Sequence, residues 1–126
     1  MYDKYKMLEN KNWAVIGVTD DRSRYGYKIP VAMRKHGYNV YGINPKYDSI
    51  DGEKIYSSLS ELPETVDAID MVVAPKFGKD YLREAHKLGI KNVFFQPGTY
   101  DEEIFELAKE LNFNIVMDCV YATLEE

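Results

Sequence analysis

Apolar residues occur in two forms along the chain: short continuous runs, and longer stretches in which they recur every three or four positions. Continuous runs of this length are typical of strands buried on both faces, and the three-to-four repeat is typical of helices with one buried face. The predicted strands lie at residues 13–18, 38–43, 66–74, 93–95 and 115–117, and the predicted helices lie near residues 29–36, 79–88 and 104–111. The sequence therefore predicts an α/β fold.

The alternation of strands and helices restricts the topology. Parallel strands joined by right-handed crossovers form a sheet with helices on both faces, so we predict a Rossmann-like, doubly wound parallel sheet of about five strands. Two segments do not follow this alternation of strands and helices. Residues 47–65 are polar and contain Gly52 and Pro63, which predicts at most a short helix near residues 58–62. Residues 1–10 are predicted to form a short leading helix.

Composition and charge narrow the classes of function. Hydrophobic residues make up 45% of the chain and charged residues 29%, as in a soluble globular protein, and residues 1–126 are enough for a single domain. The chain has 16 Lys+Arg against 21 Asp+Glu, and the resulting net charge of −5 argues against general nucleic-acid binding. Residues 1–46 nevertheless hold nine basic and four acidic residues, which allows a local anion site there.

Cysteine usage and hydropathy exclude further classes. Cys119 is the single cysteine, so an internal disulfide and a cysteine-based zinc cluster are excluded, and we predict no metal site. The longest apolar run, residues 13–18, is too short for a membrane span or a secretion signal. We therefore expect a cytoplasmic protein that makes no membrane contact.

Polar, glycine and proline residues follow four of the predicted strands. In a parallel α/β sheet, ligands bind at the carboxyl ends of the strands, near the point where the strand order reverses. The candidate residues at that edge are Gly17, Thr19, Arg22, Arg24, Gly26 and Lys28 after the first strand, Asn44, Pro45 and Lys46 after the second, Ala74 and Pro75 after the third, and Gln96, Pro97 and Gly98 after the fourth.

The loop after the first strand suits a phosphate group. Gly17 allows a close approach of the backbone, Thr19 offers a hydroxyl group, and Gly26 allows the next helix to begin tightly. Cations in this loop, together with helix N-terminal amides, could hold a pyrophosphate. These cations are Arg22, Arg24 and Lys28. Alternatively, the glycines only pack strand against helix and the cations form a solvated face, since the G-x-G-x-x-G fingerprint of ordinary dinucleotide sites is missing.

The end of the second strand separates classes of nucleotide. An NAD site has an acidic residue at this point for the ribose 2′-hydroxyl, whereas this chain has Asn44, Pro45 and Lys46. A lysine attracts a phosphate, so we predict a nucleotide with a phosphate on its ribose, which means NADP or coenzyme A (CoA). The alternative is that Lys46 is a surface residue after an Asn-Pro turn.

These motifs resemble those of the CoA-binding domain family, specifically its small stand-alone YccU-like members. The first domain of the succinyl-CoA synthetase alpha subunit has the same fold. The resemblance covers about residues 8–120, and it rests on the order and spacing of the segments AVIGVT (14–19), YG (25–26), GYNVYGINPK (37–46), GEKIY (52–56) and FQPG (95–98). The family often has an Asp-Arg-Cys run after the last strand. This chain has Asp118 and Cys119 without the arginine.

The resemblance implies that CoA or an acyl-CoA binds across the carboxyl edge of the sheet. Carried over by position, it implies that Gly17, Val18 and Thr19 meet the pyrophosphate, that Asn44, Pro45 and Lys46 lie beside the adenosine, that Val73, Ala74 and Pro75 lie along the middle of the ligand, and that Gln96, Pro97 and Gly98 lie near the pantetheine. The family also implies a ligand-binding role, with CoA as the bound cofactor.

Nothing in the residue pattern indicates catalysis. His36 and His86 fall late in predicted helices, Cys119 has no basic residue beside it, and the acids at 101–103 suit the first turn of a helix. We therefore expect a CoA-binding protein rather than an enzyme. Two alternatives stay open: an NADP-dependent reductase, and a CoA-binding subunit that acts with an acyl-CoA synthetase partner. The eleven tyrosines also leave a homodimer open.

Overall fold

The computed structural model describes residues 2–126 and has the α/β architecture that the sequence predicts. Its strands are β1 (Asn12–Ile16), β2 (Asn39–Ile43), β3 (Ser49–Ile50), β4 (Glu53–Tyr56), β5 (Ala68–Met71), β6 (Asn92–Phe95) and β7 (Asn114–Met117). Its helices are α1 (Lys4–Met7), α2 (Tyr25–Lys35), α3 (Pro75–Lys87), α4 (Glu102–Glu110) and α5 (Val120–Leu124), with a 3-10 turn at Leu59–Glu61. Strands and helices alternate everywhere except between β2 and β5.

The strands form one sheet in the order β3-β4-β2-β1-β5-β6-β7. β3 pairs with β4 in the antiparallel sense, and the other neighbouring pairs are parallel. The chain adds strands on one side of β1 and then, from β5 onward, on the other side, so the strand order reverses between β1 and β5. The doubly wound topology is thereby confirmed, and this reversal is where such sheets bind their ligands.

Helices cover both faces of the sheet. Met7, Ile29 and Val120, from α1, α2 and α5, pack on one face in a buried cluster that includes Trp13 and Phe94. Residues of α3 and α4 pack on the other face in a second cluster. Because both faces are buried, the central strands are apolar on both sides, which explains why their sequences read as continuous runs.

The sheet has two more strands than the five expected, and both lie in the segment 47–65 where no strand was predicted. β3 and β4 form a hairpin whose turn residues, Asp51 and Gly52, have φ values of 51° and 81°. Positive φ at both positions is the requirement of the tight hairpin turn that Asp-Gly favours. Strands of two and four residues at the edge of a sheet are too short and too exposed to produce a periodic pattern, so the Asp-Gly pair was the only available signal.

Two helices differ in their bounds from the sequence prediction. The leading helix is a single turn, Lys4–Met7, capped by Asp3, whose carboxylate accepts from the N–H groups of Tyr5 (2.7 Å) and Lys6 (3.1 Å). Met1 lies outside the described residues. α2 begins at Tyr25, four residues before its periodic pattern becomes visible. Within residues 2–126, no helix is both long and apolar enough to cross a membrane.

Candidate functional site

A groove with a volume of about 930 Å³ runs along the carboxyl ends of the strands, at the reversal of strand order. The N-termini of α2 and α3 flank it, and residues of the β6–α4 loop and of α5 close one end. Its lining residues are Gly17, Thr19, Arg24, Tyr25, Gly26, Asn44, Lys46, Tyr47, Val72, Val73, Ala74, Phe77, Gln96, Pro97, Thr99, Cys119 and Ala122. A groove of this size can hold a nucleotide cofactor.

Two glycines bring three backbone segments together at the floor of the groove. Gly17 has a φ of 105°, and a Cβ atom there would lie 2.8 Å from Val73 Cγ1 and 3.1 Å from Val73 N. A Cβ atom on Gly26 would lie 2.5 Å from the carbonyl oxygen of Gly17. No side chain fits either position without moving backbone, so the strand β1, the start of α2 and the segment after β5 can approach only because both residues are glycine.

Pro30 gives the loop after β1 a further anchor. A proline inside a helix has no N–H group to donate to the carbonyl four residues earlier, which in α2 is the carbonyl of Gly26. That carbonyl instead accepts from the backbone N–H of Thr19 at 3.4 Å. The Thr19 hydroxyl lies 3.2 Å from the Tyr47 hydroxyl, which itself donates to Asp20 at 3.1 Å. The loop is therefore fixed to both α2 and the segment after β2.

The helix N-termini at the groove are left without side-chain caps. Arg24 and Ala74 occupy the N-cap positions of α2 and α3, neither side chain caps its helix, and neither helix has an acidic residue in its first turn. The N-terminal N–H groups of a helix are unsatisfied donors with partial positive charge. The groove therefore receives positive potential from two helices as well as from side chains.

Two cations line the groove without an ionic partner. No ion pair formed within residues 2–126 includes Arg24 or Lys46. The segment that carries Lys46 is held by Asn44, whose side chain accepts from the Lys46 N–H at 2.9 Å and donates to the Val18 carbonyl at 2.8 Å. An anion in the groove would find both cations available.

The structure places the other two predicted cations outside the groove lining. Arg22 forms an ion pair with Asp51 at 3.7 Å and lies over the ring of Tyr27, whose hydroxyl donates to the same carboxylate. Lys28 lies over the ring of Tyr25, 5.6 Å from its centroid.

A smaller hollow of about 220 Å³ adjoins the groove on the side of β2. It shares Gly17, Asn44, Lys46, Val73 and Phe77 with the groove, and Ile43, Pro45 and Tyr81 complete its walls. Most of these surfaces are apolar, and Phe77 is 57% exposed. The walls of the hollow are therefore mainly apolar, and Lys46 is the one cationic residue that lines it within residues 2–126.

A buried carboxyl lies beneath the other end of the groove. Asp70 on β5 is fully buried, and burial raises its pKa to about 8. Its Oδ1 atom accepts from Gln96 Nε2 at 2.6 Å, and Gln96 Oε1 accepts from the Val120 N–H at 3.1 Å. The Gln96 side chain, which the family resemblance predicts to lie near a pantetheine, thus makes two hydrogen bonds to the protein itself.

The sequence-predicted residues therefore divide into three groups. In the groove lie Gly17, Thr19, Arg24, Gly26, Asn44, Lys46, Val73, Ala74, Gln96 and Pro97; in the adjoining hollow lies Pro45; outside both lie Val18, Arg22, Lys28, Pro75 and Gly98. The sequence analysis did not identify Tyr25, Tyr47, Phe77, Tyr81, Thr99 or Ala122 as lining residues. Three of the aromatic residues, Tyr25, Tyr47 and Phe77, carried one signal, their position shortly after a strand end or in the first turn of a helix.

Candidate catalytic groups do not gather at the groove. His36 and His86 are exposed and lie at the C-terminal ends of α2 and α3, at the opposite edge of the sheet. Cys119 does line the groove, and its sulfur accepts from the Ala122 N–H at 3.4 Å. Within residues 2–126, no cluster of three or more His, Cys, Asp or Glu side chains is arranged to hold a metal ion.

Comparison with known proteins places this groove in context. The family model described as a CoA binding domain matches residues 11–125. The ADP-forming acetate–CoA ligase of Methanocaldococcus jannaschii is 32% identical over 114 residues, which are 84% of this chain and 16% of the ligase. The chain therefore spans about a sixth of that enzyme's length.

Solved structures of small proteins match over most of both chains. A hypothetical protein from Pyrococcus horikoshii superimposes with a TM-score of 0.88 at 30% identity, over 97% of this chain and 86% of that one. A conserved hypothetical protein from Pyrococcus furiosus gives a TM-score of 0.84 at 34% identity, over 90% of this chain and 98% of that one. The same fold thus occurs both as a stand-alone protein and as one part of a ligase.

Proposed function

Since the chain belongs to the CoA-binding domain family, we propose that it binds CoA or an acyl-CoA in the groove at the carboxyl edge of its sheet. One observation supports this above the others. Arg24 and Lys46 lie unpaired in the groove, beside two uncapped helix N-termini, in a chain of net charge −5. Leaving cations without partners in an acidic protein favours an anionic ligand.

The groove suggests an orientation for the ligand. We place the pyrophosphate on the backbone between Gly17 and Thr19, within reach of Arg24 and of the α2 N-terminus. The adenine ring would enter the apolar hollow against Phe77, and the ribose 3′-phosphate would lie near Lys46. The pantetheine would then extend past Val73 toward Gln96 and the end of the groove that Cys119 lines.

Ligand-dependent stabilisation tests this proposal. A ligand that binds only the folded protein, present at 100 times its dissociation constant, adds about 2.7 kcal/mol to the free energy of unfolding. Thermal unfolding should be measured by differential scanning fluorimetry with CoA, acetyl-CoA, NADP and NAD at equal concentrations. We expect CoA and acetyl-CoA to stabilise the protein and NAD to have no effect. An NAD shift as large as the CoA shift would contradict the proposal, and an NADP shift alone would favour the reductase.

We further propose that the chain binds its ligand without catalysing a reaction by itself. The relative with the ADP-forming ligase name matches over only 16% of its length, so most of that enzyme has no counterpart in this chain. This supports a second candidate role, a CoA-binding subunit that works with a separate ligase protein. The purified chain, incubated with acetyl-CoA, ADP and phosphate, should form no ATP; ATP formation by the chain alone would contradict a purely binding role.

A further inference from the structure

Asp70 occupies a position in the sheet where its neighbours are apolar. It lies in the middle of β5, level with Val15 on β1 and Phe94 on β6. Because side chains alternate along a strand, Asp70 shares its face with Ala68, which belongs to the core cluster under α2 and α5. The carboxyl is fully buried and does not line the groove.

The two oxygens of this carboxyl are used very differently. Oδ1 accepts the 2.6 Å hydrogen bond from Gln96, whereas Oδ2 has no hydrogen-bond partner within residues 2–126. A buried polar atom without a partner is unfavourable for folding. The acid is therefore poorly explained as a stabilising core residue. The hydrogen bond that Oδ1 accepts from Gln96 is the contact that explains an acid at this position.

That contact fixes the orientation of the Gln96 amide. With Nε2 directed at Asp70, Oε1 faces the Val120 N–H, the first N–H group of α5. The Gln96 carbonyl in turn accepts from the Thr99 hydroxyl at 2.7 Å and from the Thr99 N–H at 3.1 Å. One buried side chain thus connects β5, the turn from Gln96 to Thr99, and the start of α5.

These connected segments form the wall at one end of the groove. Gln96, Thr99, Cys119 and Ala122 all line it, and Cys119 immediately precedes Val120. We propose that Asp70 is a positioning residue: without touching the ligand, it holds the Gln96–Thr99 turn and Cys119 in place where the thiol end of the ligand lies. The reference to the thiol end rests on the proposed function, while the effect on Cys119 does not.

The test compares Asp70→Leu, which removes the acceptor, with Asp70→Asn, which retains an oxygen at the same place. Ile69→Ala is the matched control, because Ile69 directly precedes Asp70 on β5 and is equally buried but faces the opposite core cluster. If Asp70→Leu does not fold, Gln96→Leu removes the same hydrogen bond from the side of its donor. All variants are first checked for cooperative unfolding.

The first measurement needs no ligand. Cys119 is the only cysteine, so the absorbance change on reaction with 5,5′-dithiobis(2-nitrobenzoate) reports on this site alone. We expect Asp70→Leu or Gln96→Leu to change the reaction rate by about fivefold or more, since local opening controls access to a half-buried thiol. Asp70→Asn and Ile69→Ala should stay within about twofold of the unsubstituted protein. Equal rates for all variants, or equal changes in Asp70→Leu and Ile69→Ala, would overturn the proposal.

The second measurement separates the two ends of the ligand by calorimetry. We expect Asp70→Leu to weaken CoA about tenfold and adenosine 3′,5′-bisphosphate, which lacks the pantetheine, by less than about twofold. Asp70→Asn should restore CoA binding. An equal loss for both ligands would indicate general damage and would overturn the positioning role. If the unsubstituted protein binds neither ligand, the proposed function fails, and the thiol kinetics alone decide the role of Asp70.

Discussion

Helices α2, α3 and α4 all begin at the same edge of the sheet, but they differ in the capping and charge of their N-termini. α4 is capped by Asp101, which accepts from the Ile104 N–H at 2.9 Å, and it has Glu102 and Glu103 in its first turn. α2 and α3 have neither a side-chain cap nor a first-turn acid. The chain thus supplies its own negative charge at one helix and leaves the positive ends of the other two open.

The difference limits the proposed anion site to fewer helix N-termini than the fold alone allows. Every helix that follows a parallel strand brings its N-terminus to the carboxyl edge, so the fold alone offers several candidate sites. The Asp101 cap satisfies an exposed N–H group of α4, and the first-turn acids offset the positive end of its dipole. The α4 N-terminus is therefore the least suited of the three to bind an anion. Arg24, at the N-cap of α2, and Lys46 then add positive charge on the uncapped side.

The largest effect is expected when the α2 N-terminus is made to resemble that of α4. Arg24→Asp supplies a favourable N-cap, because the residue already has extended dihedral angles of −99° and 153°. We expect helix capping to add about 1 kcal/mol of stability. We also expect CoA affinity to fall about 100-fold, or about 2.7 kcal/mol, through loss of the cation and repulsion by the acid. Calorimetry and thermal unfolding give the two effects, which have opposite signs.

Arg22→Asp is the matched control for that variant. It makes the same change in net charge two residues earlier in the loop, but Arg22 is paired with Asp51 outside the groove. At physiological salt its effect on CoA affinity should stay below about threefold, because screening limits interactions beyond the Debye length. Equal losses in the two variants would mean that overall charge, and not the α2 N-terminus, governs binding.

The second prediction concerns the pH dependence of stability. It tests Asp70, which is buried beneath the groove, and not the cations Arg24 and Lys46 that line the groove. Burial raises the pKa of Asp70 from 3.8 in the unfolded chain to about 8 in the folded protein. The folded state keeps this proton to higher pH, so unfolding releases it between these values. The free energy of unfolding should therefore fall as the pH rises from about 4 to 8, and the Asp70 contribution should be lost above that range.

Asp70→Asn removes this titration and retains the shape of the side chain. Between pH 5 and pH 7, we expect the unsubstituted protein to lose about 2.6 kcal/mol of stability relative to the variant. Tyr38 is the only titratable residue among the buried members of the core cluster on that face, and its hydroxyl donates to the Leu8 carbonyl. Urea unfolding at both pH values measures the difference. Parallel pH dependences would show that Asp70 titrates normally.

Sequence reasoning performed well where one physical requirement acts over many residues. The central strands are buried on both faces, so their apolar runs and the helical repeats between them predict the doubly wound sheet. It missed the β3–β4 hairpin, because an edge hairpin of six strand residues buries too little to impose a pattern. Its only marks are Asp51 and Gly52, which occupy the two turn positions.

The candidate site was predictable by segment and not by side chain. All four predicted loops reach the carboxyl edge, since strand ends fix where a loop begins. Which cation faces the groove depends on where α2 starts, and that start at Tyr25 precedes the periodic pattern. Asp70 was read as part of an apolar strand, because nothing local distinguishes a buried acid whose partner, Gln96, lies 26 residues away.

The third prediction tests the other unpaired cation of the groove. Lys46→Ala should weaken CoA about tenfold, or about 1.4 kcal/mol, because an exposed charged hydrogen bond to the 3′-phosphate is lost. The affinity for 3′-dephospho-CoA should be unchanged, and raised salt should reduce the preference of the unsubstituted protein for CoA. Calorimetry with both ligands completes the cycle. Equal losses for the two ligands would place Lys46 near another part of the nucleotide.

The smallest effect is expected at α4, where the acid serves the helix and not the ligand. Asp101→Ala should reduce the free energy of unfolding by about 1 kcal/mol, because the Ile104 N–H loses its acceptor. Asp101→Ser removes the charge but can still cap, so it should recover most of that stability. Neither variant should change CoA affinity beyond about twofold, since this helix end lies outside the groove lining. If both variants bind CoA several-fold more tightly, the Asp101 charge opposes the ligand, and the α4 N-terminus must be counted as part of the anion site.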